Sequence, residues 1–160
     1  MNHIEDKILT IREKKVLLDV ELASLYGVPT KVLVQAVKRN IDRFPSDFMF
    51  QLEESEFEFL RSQIVTTKLL KRRFAPYVFT ELGVAMLSSV LNSATAIQIN
   101  IAIMRVFVKI REKETQWAAR LDKLVELKKE QTEQQSQIDE IYKIIDQLLA
   151  PSLKRQLIGF

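Results

Sequence analysis

The chain has 160 residues, no cysteine, 47% hydrophobic and 28% charged residues, and a formal net charge of +3. This length suits one folded domain with an appendage, and the lack of cysteine excludes disulfides, thiolate catalysis and cysteine-ligated metal sites. The N-terminus mixes acids and bases and no uncharged stretch could cross a bilayer, so we expect a cytoplasmic protein that does not enter a membrane.

Two short apolar runs lie near the N-terminus, on either side of a charged triplet. Residues 7–12 and 15–20 are rich in Ile, Leu and Val, which predicts a small β-hairpin. Asp19 then opens a short helix through Leu25, and its carboxylate is a predicted N-cap because it can accept amide hydrogens of the first turn. Gly27 can adopt the left-handed conformation that ends a helix, so we predict a tight turn there.

The segment at residues 31–43 has an apolar side and a polar side at helical spacing. Leu33, Val37 and Ile41 form the apolar side, and the Thr30 hydroxyl is a predicted N-cap. With the preceding helix, this segment matches a helix-turn-helix, whose second helix presents its polar face to DNA. An ordinary amphipathic surface helix would carry similar lysines, so the pattern alone leaves both interpretations open.

The middle of the chain alternates predicted strands and helices. Residues 48–52 alternate in polarity as a strand does. Residues 53–63 predict an acidic amphipathic helix with Phe57 and Leu60 on its apolar side. Residues 65–71 are typical of a loop or ribbon.

A further strand is predicted at residues 74–79, and Pro76 favours an edge position for it in the sheet. Thr80 is the predicted cap of a helix through about Leu91, in which Gly83 indicates close backbone packing. The predicted fold class is α+β: a small mixed head with a helix-turn-helix-like pair and short antiparallel strands, followed by a long C-terminal helix.

Candidate DNA contacts lie in two basic segments, the first at residues 30–43 and the second at residues 68–73. In the first, Gln35 could read base edges while neighbouring cations neutralise phosphates and release counterions. The second could form a basic ribbon or wing, with a solvated loop as the alternative; Phe74 and Tyr77 beside it are predicted as core and edge residues. The predicted DNA-binding residues are Thr30, Lys31, Gln35, Lys38, Arg39, Arg43, Lys68, Lys71, Arg72 and Arg73.

The C-terminal third carries a heptad pattern. Ser93 is the predicted cap of a helix that continues from Ala94 to Pro151. A 4-3 spacing from Ile110 to Leu149 gives a row of twelve positions, here called the seam, of which eight are apolar and three successive ones in the middle are polar. This favours a self-associating coiled coil, while a hairpin of two shorter helices stays open as the alternative. The predicted oligomerisation residues are Trp117, Leu121, Leu124, Ile138, Tyr142, Ile145 and Leu149.

No constellation for catalysis is visible in the sequence. His3 is the only histidine and lies at the N-terminus, and there is no glycine-rich phosphate loop or nucleophile elbow. The acidic residues of 53–58 need no role beyond solvation. We therefore predict no catalytic residue, no metal site, no cofactor and no enzymatic activity; a metal-dependent nuclease is a distant alternative.

Several ordered blocks of sequence carry a more specific signal. They are LDVELASLYGV at 18–28, VKRN at 37–40, RFPSDFMFQL at 43–52, RRFAPYVFTE at 72–81, GVAMLSSVLNS at 83–93, AIQ at 96–98 and IMR at 103–105. Together these blocks resemble the ORF6N domain of phage and bacterial mobile-element proteins, over roughly residues 4–112.

The resemblance implies membership of the KilA-N-like group, which is associated with DNA binding and with phage antirepressors or transcription regulators. We therefore expect a DNA-binding domain at 1–112, a coiled-coil helix at 113–150 and a tail at 151–160. The expected partners are double-stranded DNA and further copies of the chain, as a homodimer or higher homo-oligomer. The alternative is an antirepressor that captures a repressor protein without DNA affinity of its own.

Overall fold

The computed structural model describes the backbone of residues 2–63 and 71–158. The chain divides into two units, Met1–Arg111, here called the head, and Glu112–Phe160, here called the tail. The elements in chain order are α1 (Asn2–Glu5), β1 (Leu9–Ile11), β2 (Lys14–Leu18), α2 (Asp19–Tyr26), α3 (Thr30–Arg39), a 3-10 turn (Ile41–Arg43), β3 (Met49–Gln51), α4 (Glu54–Gln63), β4 (Tyr77–Thr80), α5 (Glu81–Leu87) and α6 (Ala94–Ile158). The predicted α+β class with a long C-terminal helix is confirmed.

The predicted N-terminal hairpin is present as β1 and β2, which pair antiparallel with Leu9 opposite Val16. Its two turn residues, Arg12 and Glu13, both have positive φ, 51° and 60°. Positive φ at both central residues is typical of the type I′ turn, whose twist matches that of the flanking strands. The hairpin forms one side of a four-stranded sheet of order β1-β2-β4-β3.

The edge position predicted for the strand after Pro76 is wrong. β4 lies between β2 and β3, with Phe79 opposite Leu17 and Val78 opposite Phe50. Pro76 stands one residue before the strand, so its missing amide hydrogen interrupts no ladder bond. Its carbonyl oxygen instead accepts a hydrogen bond from the Leu52 amide at 3.1 Å.

The core of the head lies on both faces of this sheet. Leu17 belongs to a buried cluster with Leu33 and Ile103, whereas its neighbours Val16 and Leu18 belong to a second cluster. This division follows from the strand period of two, which sends alternate side chains to opposite faces. Helices α2, α3, α5 and α6 contribute to the first cluster, and α4 contributes Phe57 and Leu60 to the second; both were predicted on its apolar side.

The close backbone packing predicted at Gly83 is confirmed, and it occurs where α5 meets the chain before β3. A Cβ atom added there would lie 2.0 Å from the Phe48 carbonyl oxygen, so the close approach leaves no room for a side chain. The predicted Thr80 cap is confirmed, because the Gly83 amide donates to the Thr80 hydroxyl at 3.4 Å. The helix ends at Leu87, earlier than predicted.

The C-terminal helix α6 begins after Ser93, whose hydroxyl accepts the Ala96 amide at 3.1 Å, as predicted. The end predicted at Pro151 is wrong, because α6 extends to Ile158. Proline has a helical φ and removes one hydrogen bond without dictating the conformation beyond it. The two-helix hairpin is also wrong, since α6 is one helix across the described residues 94–158.

Candidate nucleic-acid interface

Helices α2 and α3 form the predicted pair, joined by a tight turn. Gly27 ends α2 in the left-handed conformation with φ of 70°. The Val28 amide reaches back to the Ala23 carbonyl at 3.0 Å, which satisfies a carbonyl group that the helix end would otherwise leave free. Pro29 then adopts an extended backbone, and α3 begins at the next residue. Two short helices across a glycine-containing turn match the helix-turn-helix arrangement.

Both helix caps predicted in this region are wrong. Leu18 occupies the N-cap position of α2 and Pro29 that of α3, and neither makes a side-chain cap bond. Thr30 is the first helical residue of α3 and half-buried. Asp19 is fully buried inside α2, and its carboxylate is used for a different contact, described below.

The buried side of α3 is shorter than the sequence indicated. Leu33 and Val37 are buried in the core, but Ile41 is 49% exposed and lies beyond the helix. The helix ends at Arg39 because the next residue, Asn40, leaves helical geometry and its side-chain amide donates to the Ala36 carbonyl at 2.9 Å. Arg43 therefore lies outside α3, and its guanidinium donates to the Ser89 hydroxyl at 3.1 Å.

The opposite side of α3 is exposed and mainly polar. Lys31, Gln35 and Lys38 recur at helical spacing on it, and Arg39 is beside them; all four are exposed. The Lys38 ammonium lies 5.7 Å from the centroid of the Tyr77 ring, a cation–π distance. The helix thus presents three cations and an amide to solvent while its apolar side packs into the head.

The second basic segment contains two kinds of cation. Lys71 and Arg73 are exposed, but Arg72 makes two hydrogen bonds to the buried Asp19 carboxylate, at 2.6 and 2.7 Å. The same carboxylate accepts the Tyr77 amide at 3.1 Å. Arg72 therefore fastens this segment to the start of α2. Lys68 lies outside the described residues.

Two clefts border α3. One, of about 670 Å³, is lined by Lys31 at the start of α3 and by Lys71 and Arg72 of the second basic segment. The other, of about 240 Å³, is mainly apolar and has Lys38 and Tyr77 among its lining residues. The fold thus brings Lys31 and Lys71 to one cleft although 40 positions separate them in the sequence.

Ion pairing separates the cations of the head. Across the described parts of the chain, no ion pair engages the exposed cations of α3 or the two that flank Arg72. They are therefore available for a partner. Within the described residues, the cations paired with carboxylates include Lys7, Arg12, Arg61, Arg72 and Arg111. The exposed cations of α3 and of the second basic segment are Lys31, Lys38, Arg39, Lys71 and Arg73, and further exposed cations lie elsewhere in the head.

A buried polar contact fixes α2 against the first part of α6. The Tyr26 hydroxyl donates to the side-chain oxygen of Asn100, and burial raises the pKa of Tyr26 well above its usual range. Sequence reasoning missed this pair, and the signal was an asparagine inside an otherwise apolar helical stretch. The contact helps to set the position of the helix-turn-helix within the head.

The predicted oligomerisation residues lie on the tail part of α6. All seven side chains are exposed in the single chain, Trp117 by 63% and Leu124 by 61%. The exposed set is Trp117, Leu121, Leu124, Ile138, Tyr142, Ile145 and Leu149.

The head therefore combines a helix-turn-helix-like pair with a small antiparallel sheet. The sequence model of the ORF6N domain matches residues 6–90, more than half of the chain. The protein belongs to the ORF6N domain family, which confirms the resemblance. No curated protein and no solved structure matches the chain significantly. None of the helices in the described residues is long and apolar enough to cross a membrane.

Proposed function

We propose that this protein is a DNA-binding regulator of phage or mobile-element type that reads the major groove with α3. The observation that carries the proposal is the two-sided character of α3, with Leu33 and Val37 buried and its cations exposed without carboxylate partners. Membership of the ORF6N family is consistent with this role. The proposed activity is binding, with no catalytic step.

Each exposed side chain of α3 has a distinct task in this proposal. Gln35 has the donor and acceptor pair that matches the major-groove edge of adenine. Lys31, Lys38 and Arg39 neutralise phosphates, and the counterions that they release supply much of the affinity. The ten residues of α3 span roughly 15 Å, which suits a helix lying across the major groove.

We further propose that the tail makes the protein a homodimer or higher homo-oligomer. The exposed apolar side chains of the seam would be buried by the same residues of a second copy. A two-fold dimer would double the DNA contacts and would need two half-sites separated by about one helical turn or a multiple of it.

The test is the double substitution Lys38→Ala and Arg39→Ala in the full chain. We expect affinity for duplex DNA to fall about 10- to 100-fold, and the log–log salt slope to become shallower by about 2 per head, because two phosphate contacts are lost. The matched control is Arg105→Ala with Lys109→Ala, which removes two other exposed cations. A folded α3 double mutant that binds like this control would contradict the proposal.

The second candidate function is an antirepressor that acts by protein contact. One observation favours it: Phe59 of α4 is 67% exposed, and exposed glutamates, Glu54 and Glu58, lie on the same helix. An acidic surface with an exposed aromatic ring would suit the basic face of a repressor. The antirepressor hypothesis predicts that this protein captures a repressor and binds no DNA at any salt concentration.

A further inference from the structure

Phe74 lies on the surface of the head, between the second basic segment and β4. The sequence predicts Phe74 to lie in a strand and in the core, and this prediction is wrong, because β4 begins at Tyr77 and Phe74 is 78% exposed. A single exposed apolar residue is ordinary on a protein surface. What distinguishes Phe74 is how its segment is held and which charges flank it.

The segment that carries Phe74 is fixed on both sides of the ring. Before it, the Arg72 guanidinium binds the buried Asp19 carboxylate, and the Arg72 carbonyl accepts a hydrogen bond from Arg61 at 2.7 Å. After it, the Tyr77 amide donates to the same Asp19 carboxylate. Phe74 is therefore presented from a short stretch that is fastened to both α2 and α4. Little ordering entropy remains to be lost there when a partner binds.

The charges around Phe74 are positive. Lys71 and Arg73 are exposed, and in the part of the chain that the structure describes neither pairs with a carboxylate. Lys71 also lines the cleft that contains Lys31, so this side of the segment borders the start of α3. An exposed apolar ring that directly follows exposed cations in the chain suits a partner that offers apolar surface close to negative charges. Duplex DNA does this, because its base stack lies between two lines of phosphates.

We propose that Phe74 is an apolar wedge that inserts against a base step in the minor groove of DNA. Lys71 and Arg73 contact phosphates close to this step, while α3 occupies the neighbouring major groove. Inserted apolar side chains unstack base steps and kink the duplex, which brings more protein surface into contact. This inference rests on the proposed function, since it adds a second contact to the same DNA complex.

The experiment compares Phe74→Ala with Phe59→Ala in the full chain. Phe59 is the matched control because it is also a largely exposed phenylalanine, but on the acidic helix α4. We expect Phe74→Ala to weaken binding to a mixed-sequence duplex about 5- to 30-fold, in line with the loss of one base–aromatic contact, and to leave the salt slope unchanged. Phe59→Ala should bind within about twofold of the unmodified protein.

A second variant reports insertion directly. Tryptophan fluorescence of Phe74→Trp should be quenched when duplex DNA is added, because an indole stacked on bases loses emission. The unmodified protein, whose only tryptophan is Trp117 of the tail, gives the background signal. Circular dichroism of every variant checks that the helices are retained.

The possible failures separate cleanly. If the unmodified protein binds DNA but Phe74→Ala matches Phe59→Ala and Phe74→Trp shows no quenching, the wedge is wrong and the role of α3 stands. If Phe74→Ala lowers self-association in sedimentation and leaves DNA affinity intact, Phe74 contacts a second copy and the wedge is again wrong. If the unmodified protein binds no DNA even at low salt, the proposed function fails with it.

Discussion

The head and the tail treat their apolar side chains in opposite ways. In the head, large residues such as Leu17, Phe57 and Phe79 are fully buried within the chain. In the tail, Trp117 and Leu124 are mostly exposed although they lie on a regular helix. A helix in a protein gains most of its stability by burying an apolar side against other elements. The helices of the head bury such a side within the single chain, whereas the helix of the tail does not. This contrast supports the proposal that a second copy of the chain covers the apolar side chains of the tail.

The largest expected effect is a loss of self-association in the double variant Leu121→Glu with Leu124→Glu of the tail. Each leucine buried in an interface contributes about 1.5–3 kcal/mol, so two charged replacements should weaken self-association at least about 100-fold. The measurement is sedimentation equilibrium of the full chain over a range of concentrations. The head should unfold as before, because none of its core residues is changed.

The matched control is Gln116→Glu with Ala119→Glu, which adds the same two charges outside the seam. It should associate like the unmodified protein. If the leucine variant stayed as associated as this control, the seam would not be the interface, and the contrast between head and tail would need another explanation.

The second largest expected effect is a loss of stability of the head in the variant Asp19→Asn, with no change in the tail. Removing one partner of a buried ion pair leaves the other charge buried and unpaired, which costs about 3 kcal/mol of stability. The Arg72 side chain is only 22% exposed, so water can replace little of the lost contact. Hydrogen exchange of amides in β2 and β4 should speed up about 100-fold, with self-association unchanged. Glu81→Gln breaks the more exposed pair with Arg111 and should cost less than about 1 kcal/mol. Equal effects of the two substitutions would show that the Asp19 pair does not anchor the head.

The smallest expected effect is the contribution of Glu56 to the stability of the head, which depends on pH. Arg12 donates two hydrogen bonds to Glu56, at 2.7 and 2.8 Å, and they lower the pKa of Glu56 from its ordinary value of 4.5. A lowered folded-state pKa stabilises the head above pH 4.5, and this contribution is lost as pH falls through the lower value. The pair is partly exposed, so Glu56→Gln should cost less than about 1 kcal/mol at pH 7.

Urea unfolding of the head at pH 7 and at pH 3 checks this prediction. The difference in stability between Glu56→Gln and the unmodified protein should shrink at the lower pH, where the carboxylate is increasingly protonated. A difference of the same size at both pH values would show that the ion pair has no part in it.

Features that depend on neighbouring residues could be predicted from the sequence. The left-handed turn at Gly27 and the caps made by Thr80 and Ser93 each involve groups within a few residues of one another. The close packing at Gly83 was also indicated, since glycine inside a helical pattern has few other physical reasons.

Features that depend on distant residues could not be predicted. Asp19 had the position of an N-cap, but Arg72, 53 positions away, binds its carboxylate instead. The exposure of Phe74 follows from where β4 begins, and that start is set by pairing with β2 and β3. The cleft shared by Lys31 and Lys71 likewise exists only in the folded head. Long-range pairing therefore determined the part of the candidate site that local patterns missed.

The most direct test of the account is fluorescence anisotropy of the full chain with mixed-sequence duplex DNA across a salt series. The five exposed cations of α3 and the Phe74 segment predict binding at low salt that weakens steeply, with a log–log slope of about −4 to −5 per head and about −9 for a dimer. Absence of binding even at about 50 mM salt, or binding that salt does not weaken, would contradict the claim that this ORF6N protein acts by contacting DNA phosphates.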